Sequence, residues 1–148
     1  MRNKKNLSGF TLTELLVVVA ILGVLSAVGI VSYNGYVGSA QRKSAENLMQ
    51  QIALAQSEHL SDNGTYYSVT ESTCDPTRDT LADIYQNLLG STTAARATEK
   101  AKDSAFAICI SKDERGEEAT QTDYLITASK GDLKIFMNSE GEIDTNEE

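Results

Sequence analysis

Residues 8–32, SGFTLTELLVVVAILGVLSAVGIVS, contain one carboxylate near the start of a long apolar run. The stretch from Leu15 to Val31, which follows Glu14, carries no further charge. An ionised side chain in hydrocarbon costs about 2.5 to 3.5 kcal/mol on insertion scales. If the run lies in a membrane, Glu14 therefore needs a defined partner or a position near the interface.

Length and charge limit what the rest of the chain can be. The chain has 148 residues, and part of it is committed to the run, so about 90 to 100 residues are left to build the core of one small domain. Thirteen Lys and Arg against 21 Asp and Glu give a formal net charge of -8. This sign argues against nucleic-acid binding through the whole surface.

The beginning of the chain has the charge pattern of an exported protein. Arg2, Lys4 and Lys5 precede the apolar run, as in a secretory signal. The run is about 17 to 18 residues long, however, and approaches the span of a bilayer core, so we expect it to stay in the membrane. Basic residues before a span predict a cytoplasmic N-terminus. The part after about residue 33 should therefore lie on the outer side.

The residues around the start of the run resemble the N-terminal motif of the type IV pilin family, which includes the pseudopilins of type II secretion. They lie behind a short Lys-containing leader and ahead of an aliphatic helix, and they are Gly9, Phe10, Thr11, Leu12 and Glu14. The resemblance implies that a prepilin peptidase removes residues 1–9 by cutting between Gly9 and Phe10, and that the new amino terminus on Phe10 is methylated. It also implies that subunits wait in the inner membrane, among its lipids, until the pilus assembly machinery draws them into a homo-oligomeric helical filament.

The same resemblance assigns an assembly role to Glu14. In a bundle of staggered helices the carboxylate of one subunit can meet the Phe10 amine of its neighbour, and such a pair fixes register more than it adds stability. The alternative is a carboxylate at the lipid interface, where its charge suits the helix N-terminus. Many members of the family have a proline where this chain has Val31, so we expect a straighter helix. Unwinding near Gly23 to Gly29 stays an open alternative to close packing at those residues.

A change of pattern at residue 33 divides the predicted helix. Residues 10–33 form its hydrophobic membrane or filament-core part, and residues 34–61 continue it as an amphipathic part. The apolar stripe of the second part comprises Tyr33, Tyr36, Val37, Ala40, Ser44, Leu48, Ile52 and Ala55. A turn signal, SDNG at residues 61–64, should end the helix near Ser61. The overlapping NGT at residues 63–65 also matches a glycosylation acceptor.

Residues 62–148 are predicted to form a globular head that begins with an irregular loop. A short helix should follow, capped by Asp79 or Thr80 and stopped by Gly90. Its apolar positions are Leu81, Ile84, Tyr85, Leu88 and Leu89. Residues 91–104 are small and polar, which is compatible with a second helix or with an irregular segment.

Three segments of the head read as strands. They are FAICIS at 106–111, DYLITAS at 123–129 and DLKIFMN at 132–138. Only Lys130 and Gly131 separate the last two, which predicts a tight hairpin, and an acidic loop joins the first two. A three- or four-stranded antiparallel sheet against the amphipathic half of the helix gives an α+β fold, which the resemblance also implies.

The two cysteines, Cys74 and Cys109, lie outside the membrane on this topology, where disulfides are permitted. Only one pairing is possible, and it would stabilise the head by about 3 to 4 kcal/mol in the chain-entropy model. The alternative is two unpaired thiols.

Residue patterns for catalysis, metal binding and cofactor binding are absent from the sequence, so we expect no enzyme and no cofactor. His59 is the only histidine and has no second histidine or paired cysteine to complete a zinc set. The C-terminal SEGEIDTNEE, residues 139–148, reads as a solvated acidic tail. Calcium binding there is the alternative, although the spacing does not match an EF-hand loop.

Three functions fit these observations. The first is a structural subunit of a type IV pilus, held in the inner membrane and then exposed on the cell surface, where the filament serves adhesion, twitching motility, aggregation or DNA uptake. The second is a pseudopilin of a type II secretion system. The third is a minor pilin that acts as a DNA receptor, but only residues 96–102 are locally basic, so we expect no direct nucleic-acid binding.

Overall fold

The computed structural model describes residues 9–70, 73–112 and 123–146, with Val31 described by its backbone only. Most of the predicted leader, most of the predicted acidic loop and the last two residues lie outside the described residues. The chain divides into two compact units, Met1–Ala40 and Gln41–Glu148.

The predicted long helix is present as α1, which runs from Leu12 to Asn63 without interruption. It ends two residues later than predicted. Gly64 supplies the left-handed backbone (φ 76°) that a helix end favours, and its N–H donates to the Leu60 carbonyl at 2.8 Å. The predicted turn is therefore present, but its first three residues still belong to the helix.

The buried face of α1 in the second unit differs from the predicted stripe. The buried residues have the spacing of one helix face, and they are Ala45, Met49, Ile52 and Gln56. Of these four, only Ile52 was part of the predicted stripe. The buried face is displaced by one residue from Ser44, Leu48 and Ala55 of the predicted stripe, and it includes the polar residue Gln56. Gln56 donates to the Tyr67 carbonyl at 2.6 Å and accepts from the Tyr67 N–H at 2.8 Å, so its burial leaves neither amide group unpaired.

Two short helices follow the irregular loop. The predicted one is α2, Arg78–Asn87, and Leu81 and Ile84 form its buried side. Its predicted cap was wrong: Thr77 is the N-cap and accepts a hydrogen bond from Thr80 N–H, while the Thr80 hydroxyl accepts one from Thr77 N–H. Thr80 cannot be the cap because it already lies in the first turn.

The segment left open by the sequence, residues 91–104, contains the second short helix. This helix, α3, spans Ala94–Asp103, begins at the N-cap Thr93 and buries Ala97 and Ala101.

Four strands form one antiparallel sheet in the order β1-β2-β3-β4. They are β1 (Ala107–Lys112), β2 (Tyr124–Lys130), β3 (Leu133–Asn138) and β4 (Ile143–Asn146). The predicted hairpin joins β2 to β3, with Lys130 opposite Leu133 and a left-handed Gly131 (φ 60°) in the turn.

The fourth strand corrects the prediction of a solvated acidic tail. Ile143–Asn146 pairs with β3, and the turn before it is held by Asn138, whose side-chain oxygen accepts from Glu142 N–H at 2.8 Å. The segment forms a strand through backbone hydrogen bonds to β3 in spite of its polar side chains. Side-chain composition is a weak predictor of strand formation at a sheet edge.

One core occupies the space between α1, α2 and the inner face of the sheet. Its fully buried side chains include Met49, Ile52, Leu81, Ile84, Ile108, Ile110, Ile126 and Ile135. The α+β fold class predicted from the sequence is confirmed.

The outer side of β1, at the sheet edge, is covered by the head's own chain. Val69 N–H donates to the Ile110 carbonyl at 2.9 Å, Thr70 bridges Ser111, and the Thr80 hydroxyl donates to the Ile108 carbonyl at 2.8 Å. Edge strands offer unpaired backbone groups with which another chain can pair and aggregate, so these contacts protect β1 from such pairing.

Candidate functional site

The N-terminal half of α1 exposes almost every apolar side chain that it carries. Helix α1 is long and apolar enough to cross a membrane, and its most apolar window is not buried at all. Its exposed large apolar residues include Leu15, Leu16, Val17, Val18, Val19, Ile21, Leu22, Val24, Leu25, Val28 and Ile30. So large an apolar surface is stable only against lipid or against other protein.

Glu14 is bound to the start of its own helix. Its Oε2 accepts from Thr11 N–H at 2.9 Å and from the Thr11 hydroxyl at 2.7 Å. In return Glu14 N–H donates to Thr11 Oγ1 at 3.3 Å, and the Thr11 carbonyl accepts the first helical bond from Leu15 at 3.3 Å. This arrangement is a capping box, in which two residues satisfy each other's free backbone donors.

The capping box is the feature that the sequence analysis missed. Thr11 was read only as part of a family motif, although the spacing Thr-x-x-Glu ahead of an apolar run is itself a sign of such a box. Within one subunit, Glu14 has a polar partner without any contact from a second chain.

Gly9 and Phe10 lie ahead of the helix, and both are exposed. Phe10 keeps 83% of its surface accessible. A β-carbon added at Gly9 would meet no described atom within 4 Å, and its backbone is not in the left-handed region. The described residues therefore give no conformational reason for glycine at this position.

In the head, Cys74 and Cys109 form the predicted disulfide, with their Cα atoms 6.0 Å apart. The bridge joins the loop before α2 to the first strand of the sheet.

His59 has a structural role at the end of α1. Its Nδ1 lies 2.8 Å from the Thr65 carbonyl oxygen, and because a carbonyl oxygen can only accept, the Nδ1–H is the donor. The His59 ring also packs edge to face against the Tyr67 ring, with the ring centres 5.8 Å apart. Among the described residues, no group of three His, Cys, Asp or Glu side chains lies close enough together to hold a metal ion.

Comparison with known proteins finds a family match at the N-terminal end and several similar proteins. Residues 4–30 match a family described as the prokaryotic N-terminal methylation motif. The chain is 43% identical over 58 residues to the fimbrial protein EcpC of Eikenella corrodens, covering 39% of this chain and 38% of that protein. It is 41% identical over 54 residues to the type IV major fimbrial protein FimA of Dichelobacter nodosus, covering 36% of this chain and 34% of that protein.

A third relative matches over a longer stretch than these two. It is a probable minor fimbrial protein of Dichelobacter nodosus, 35% identical over 72 residues, which are 49% of this chain and 45% of the relative. The chain thus spans less than half the length of these relatives. No solved structure matches it.

Proposed function

We propose that this chain, which carries the N-terminal methylation motif of prokaryotic pilins, is a structural subunit of a type IV pilus. One observation carries the proposal: the apolar half-helix that this motif includes has almost no burial, while the head of the same chain has a closed, disulfide-linked core. A subunit that must leave a membrane and pack with copies of itself needs both properties. The filament would serve adhesion, twitching motility, aggregation or DNA uptake at the cell surface.

Processing at Gly9 and Phe10 is the first step of the proposal. A prepilin peptidase in the inner membrane would cut between them and leave Phe10 as a methylated amino terminus. The exposure of both residues supports this, because a protease needs access to the bond that it cuts. The absence of a structural need for glycine at position 9 also supports recognition by an enzyme as the reason for that residue.

The Thr11–Glu14 capping box suggests how the carboxylate is kept before assembly. In a single subunit its charge is stabilised by Thr11 and by the helix N-terminus. During assembly it would exchange this partner for the Phe10 amine of a neighbouring subunit. A buried carboxylate without a cation is strongly penalised, so subunits in the wrong register would be rejected.

The test is the Glu14→Leu substitution in cells that carry the assembly machinery. Breaking a buried ion pair costs about 3 to 5 kcal/mol, so we expect filaments to fall by a factor of more than about a hundred by electron microscopy. The amount of subunit in the membrane fraction should not change. The matched control is Glu140→Leu, which removes an exposed head carboxylate by the same change.

Undiminished filaments from the Glu14→Leu variant would contradict the assembly role. N-terminal sequencing of purified filaments tests processing separately, because the mature chain should begin at Phe10. Deleting the gene should remove surface filaments, and loss of protein secretion with surface filaments intact would favour the secretion pseudopilin instead.

A further inference from the structure

The charge-free part of α1 is longer than a membrane requires. In the first unit every residue from 15 to 40 is uncharged. A helix of this length spans about 39 Å, because each residue adds about 1.5 Å. The hydrocarbon core of a bilayer is about 30 Å thick. Charge alone therefore leaves about 9 Å of helix whose position relative to the membrane it does not determine.

Two exposed tyrosines lie near the end of this charge-free part. Tyr33 keeps 67% of its surface accessible and Tyr36 keeps 73%, although the sequence pattern assigned both to the apolar stripe of the amphipathic part. They are three residues apart on α1, so they lie on the same side of the helix. A tyrosine ring has an apolar body and a polar hydroxyl at its tip. The described residues thus leave two amphipathic rings largely uncovered at one level of the helix.

The distance from Glu14 to Tyr33 matches the thickness of a bilayer core. Helix α1 rises about 29 Å between these two residues, which is close to the hydrocarbon thickness of about 30 Å. If the Thr11–Glu14 capping box lies at the cytoplasmic interface, Tyr33 reaches the outer interface and Tyr36 lies about 4.5 Å further out. No residue between Glu14 and Tyr33 is charged. The two polar ends of the apolar run are thus separated by the distance between the two polar surfaces of a membrane.

We propose that Tyr33 and Tyr36 bind the outer lipid–water interface in the unassembled subunit and thereby set how deeply α1 sits in the membrane. Tyrosine is enriched at this level of membrane proteins, because its ring packs against acyl chains while its hydroxyl reaches the headgroups. An inward shift of the helix would bury the two hydroxyls in hydrocarbon, which costs free energy. An outward shift would expose apolar residues such as Ile30 to water. Both shifts are therefore opposed.

A second copy of the helix is the other candidate for covering these rings. Helices that pack closely within a membrane bring together small residues, which let their backbones approach each other. Two large amphipathic rings at one level fit a lipid interface better. This inference rests on the proposed function, because only a subunit that waits in a membrane meets that interface. It has a consequence for processing as well, since a fixed depth keeps the Gly9–Phe10 bond at the cytoplasmic surface.

The chain contains no tryptophan, so one substitution provides a fluorescent reporter of depth. The full-length Tyr33→Trp chain is placed in phosphatidylcholine vesicles whose acyl chains carry bromine, a contact quencher, either near the headgroup or near the chain end. We expect bromine near the headgroup to quench this reporter about twofold more strongly. Leu22→Trp, in the middle of the run, should show the opposite preference, and Leu54→Trp, at an exposed position of the head, should be quenched by neither. The same preference for Tyr33→Trp and Leu22→Trp would overturn the inference.

A second reporter shows whether the tyrosines set the depth of the helix or only lie at that depth. Ser39→Trp lies about 9 Å beyond Tyr33 and should be quenched weakly by bromine near the headgroup. Adding Tyr33→Leu with Tyr36→Leu lengthens the apolar run, so the helix should slide inward and this quenching should rise about twofold. Adding Ile30→Tyr to that variant restores an interfacial ring one turn nearer the cytoplasm. The helix should then move outward, and the quenching should return to its starting value or below it.

The inference is overturned if Tyr33→Leu with Tyr36→Leu leaves the quenching unchanged, or if Ile30→Tyr does not reverse its effect. Fewer filaments from the double leucine variant at unchanged depth would assign the tyrosines to contacts between copies and would overturn it as well. Tyr33→Trp keeps an amphipathic ring, so its result decides the question if the leucine variant inserts poorly. The proposed function is tested separately, because a wild-type chain that inserts at the expected depth but forms no filaments would contradict the filament role alone.

Discussion

Ile21 and Ile52 lie on the same helix, yet their environments are opposite. Ile21 in the first unit keeps 54% of its surface accessible, and Ile52 in the second is completely buried. The residue type and the secondary structure are identical, so neither explains the difference. What differs is whether the chain supplies its own packing partner, and among the described residues only the second unit has a sheet and two short helices to do so.

The hydrogen bonds of polar side chains also differ between the two units. In the head, Gln56 is buried and fixed by two hydrogen bonds to the backbone of Tyr67. In the N-terminal half, the Glu14 carboxylate accepts hydrogen bonds from Thr11, a neighbour in sequence, at an exposed helix end. The first arrangement is part of a finished core, whereas the second can be exchanged for another partner without unfolding anything.

The largest predicted difference between the two units concerns the disulfide. Replacing Cys74 and Cys109 by Ala together should lower the free energy of unfolding of the head by about 3 to 4 kcal/mol, since the bridge closes a long loop. The sequence separation of the two residues is 35. Urea unfolding of the full chain in detergent, followed by near-ultraviolet circular dichroism of the tyrosines, measures this effect.

The control for that experiment is reduction of the wild-type chain, which should produce a similar loss of stability. Helix content of the N-terminal half should not respond, because the bridge joins two segments of the second unit. An unchanged unfolding midpoint in the Ala variant would show that the head's packing alone determines its stability.

The second prediction applies one substitution to both units. Ile52→Ala should destabilise the head by about 3 kcal/mol, because it removes a fully buried side chain and leaves a cavity. Ile21→Ala removes the same atoms from an exposed site and should leave the stability of the head unchanged. The same urea experiment measures both variants.

Equal effects of the two substitutions would contradict the division into two units. Filament assembly should instead depend on Ile21 if the exposed face of the helix is a packing surface. Ile21→Ala should then lower filament numbers while the amount of subunit in the membrane fraction stays unchanged.

The N-terminal half could be predicted closely from the sequence because its signals are strong and local. A long uninterrupted apolar run sets the helix, and the residues at its start match a specific motif. The capping box was also readable from the spacing of Thr11 and Glu14. The exposure of each side chain in the N-terminal half could not be predicted in detail, because exposure depends on which other chain segments pack against the helix rather than on the local sequence pattern.

The head was harder to predict because its features depend on contacts distant in sequence. Gln56 is buried because the Tyr67 backbone lies opposite it, and no local pattern predicts that contact. Strand β4 has a polar composition and is defined by its pairing with β3. The cap at Thr77 was missed for a different reason, since several adjacent residues of the loop can serve as caps.

The smallest predicted effect concerns Tyr67, at the boundary between α1 and α2. Partial burial and then a hydrogen bond donated to Asp83 raise the pKa of Tyr67 to about 12, although a bond from Asn87 acts in the opposite direction. Phenolate absorbance of the wild-type chain, with that of Tyr67→Phe subtracted, should give this value. Asp83→Asn should lower it toward the ordinary tyrosine pKa near 10, because the carboxylate favours the neutral phenol.

The effect on stability has a definite sign. The unfolded phenol ionises near pH 10 and the folded one near 12, so this contribution is complete below about pH 10 and is lost as the pH rises to about 12. Tyr85 and Tyr124, whose pKa values burial also raises, act in the same direction. The free energy of unfolding of Tyr67→Phe should therefore fall less steeply with pH than that of wild type over this range. Identical slopes would contradict the burial of the phenol. All three tyrosines lie in the head, so the alkaline transition should report on that unit and leave the N-terminal half of α1 helical.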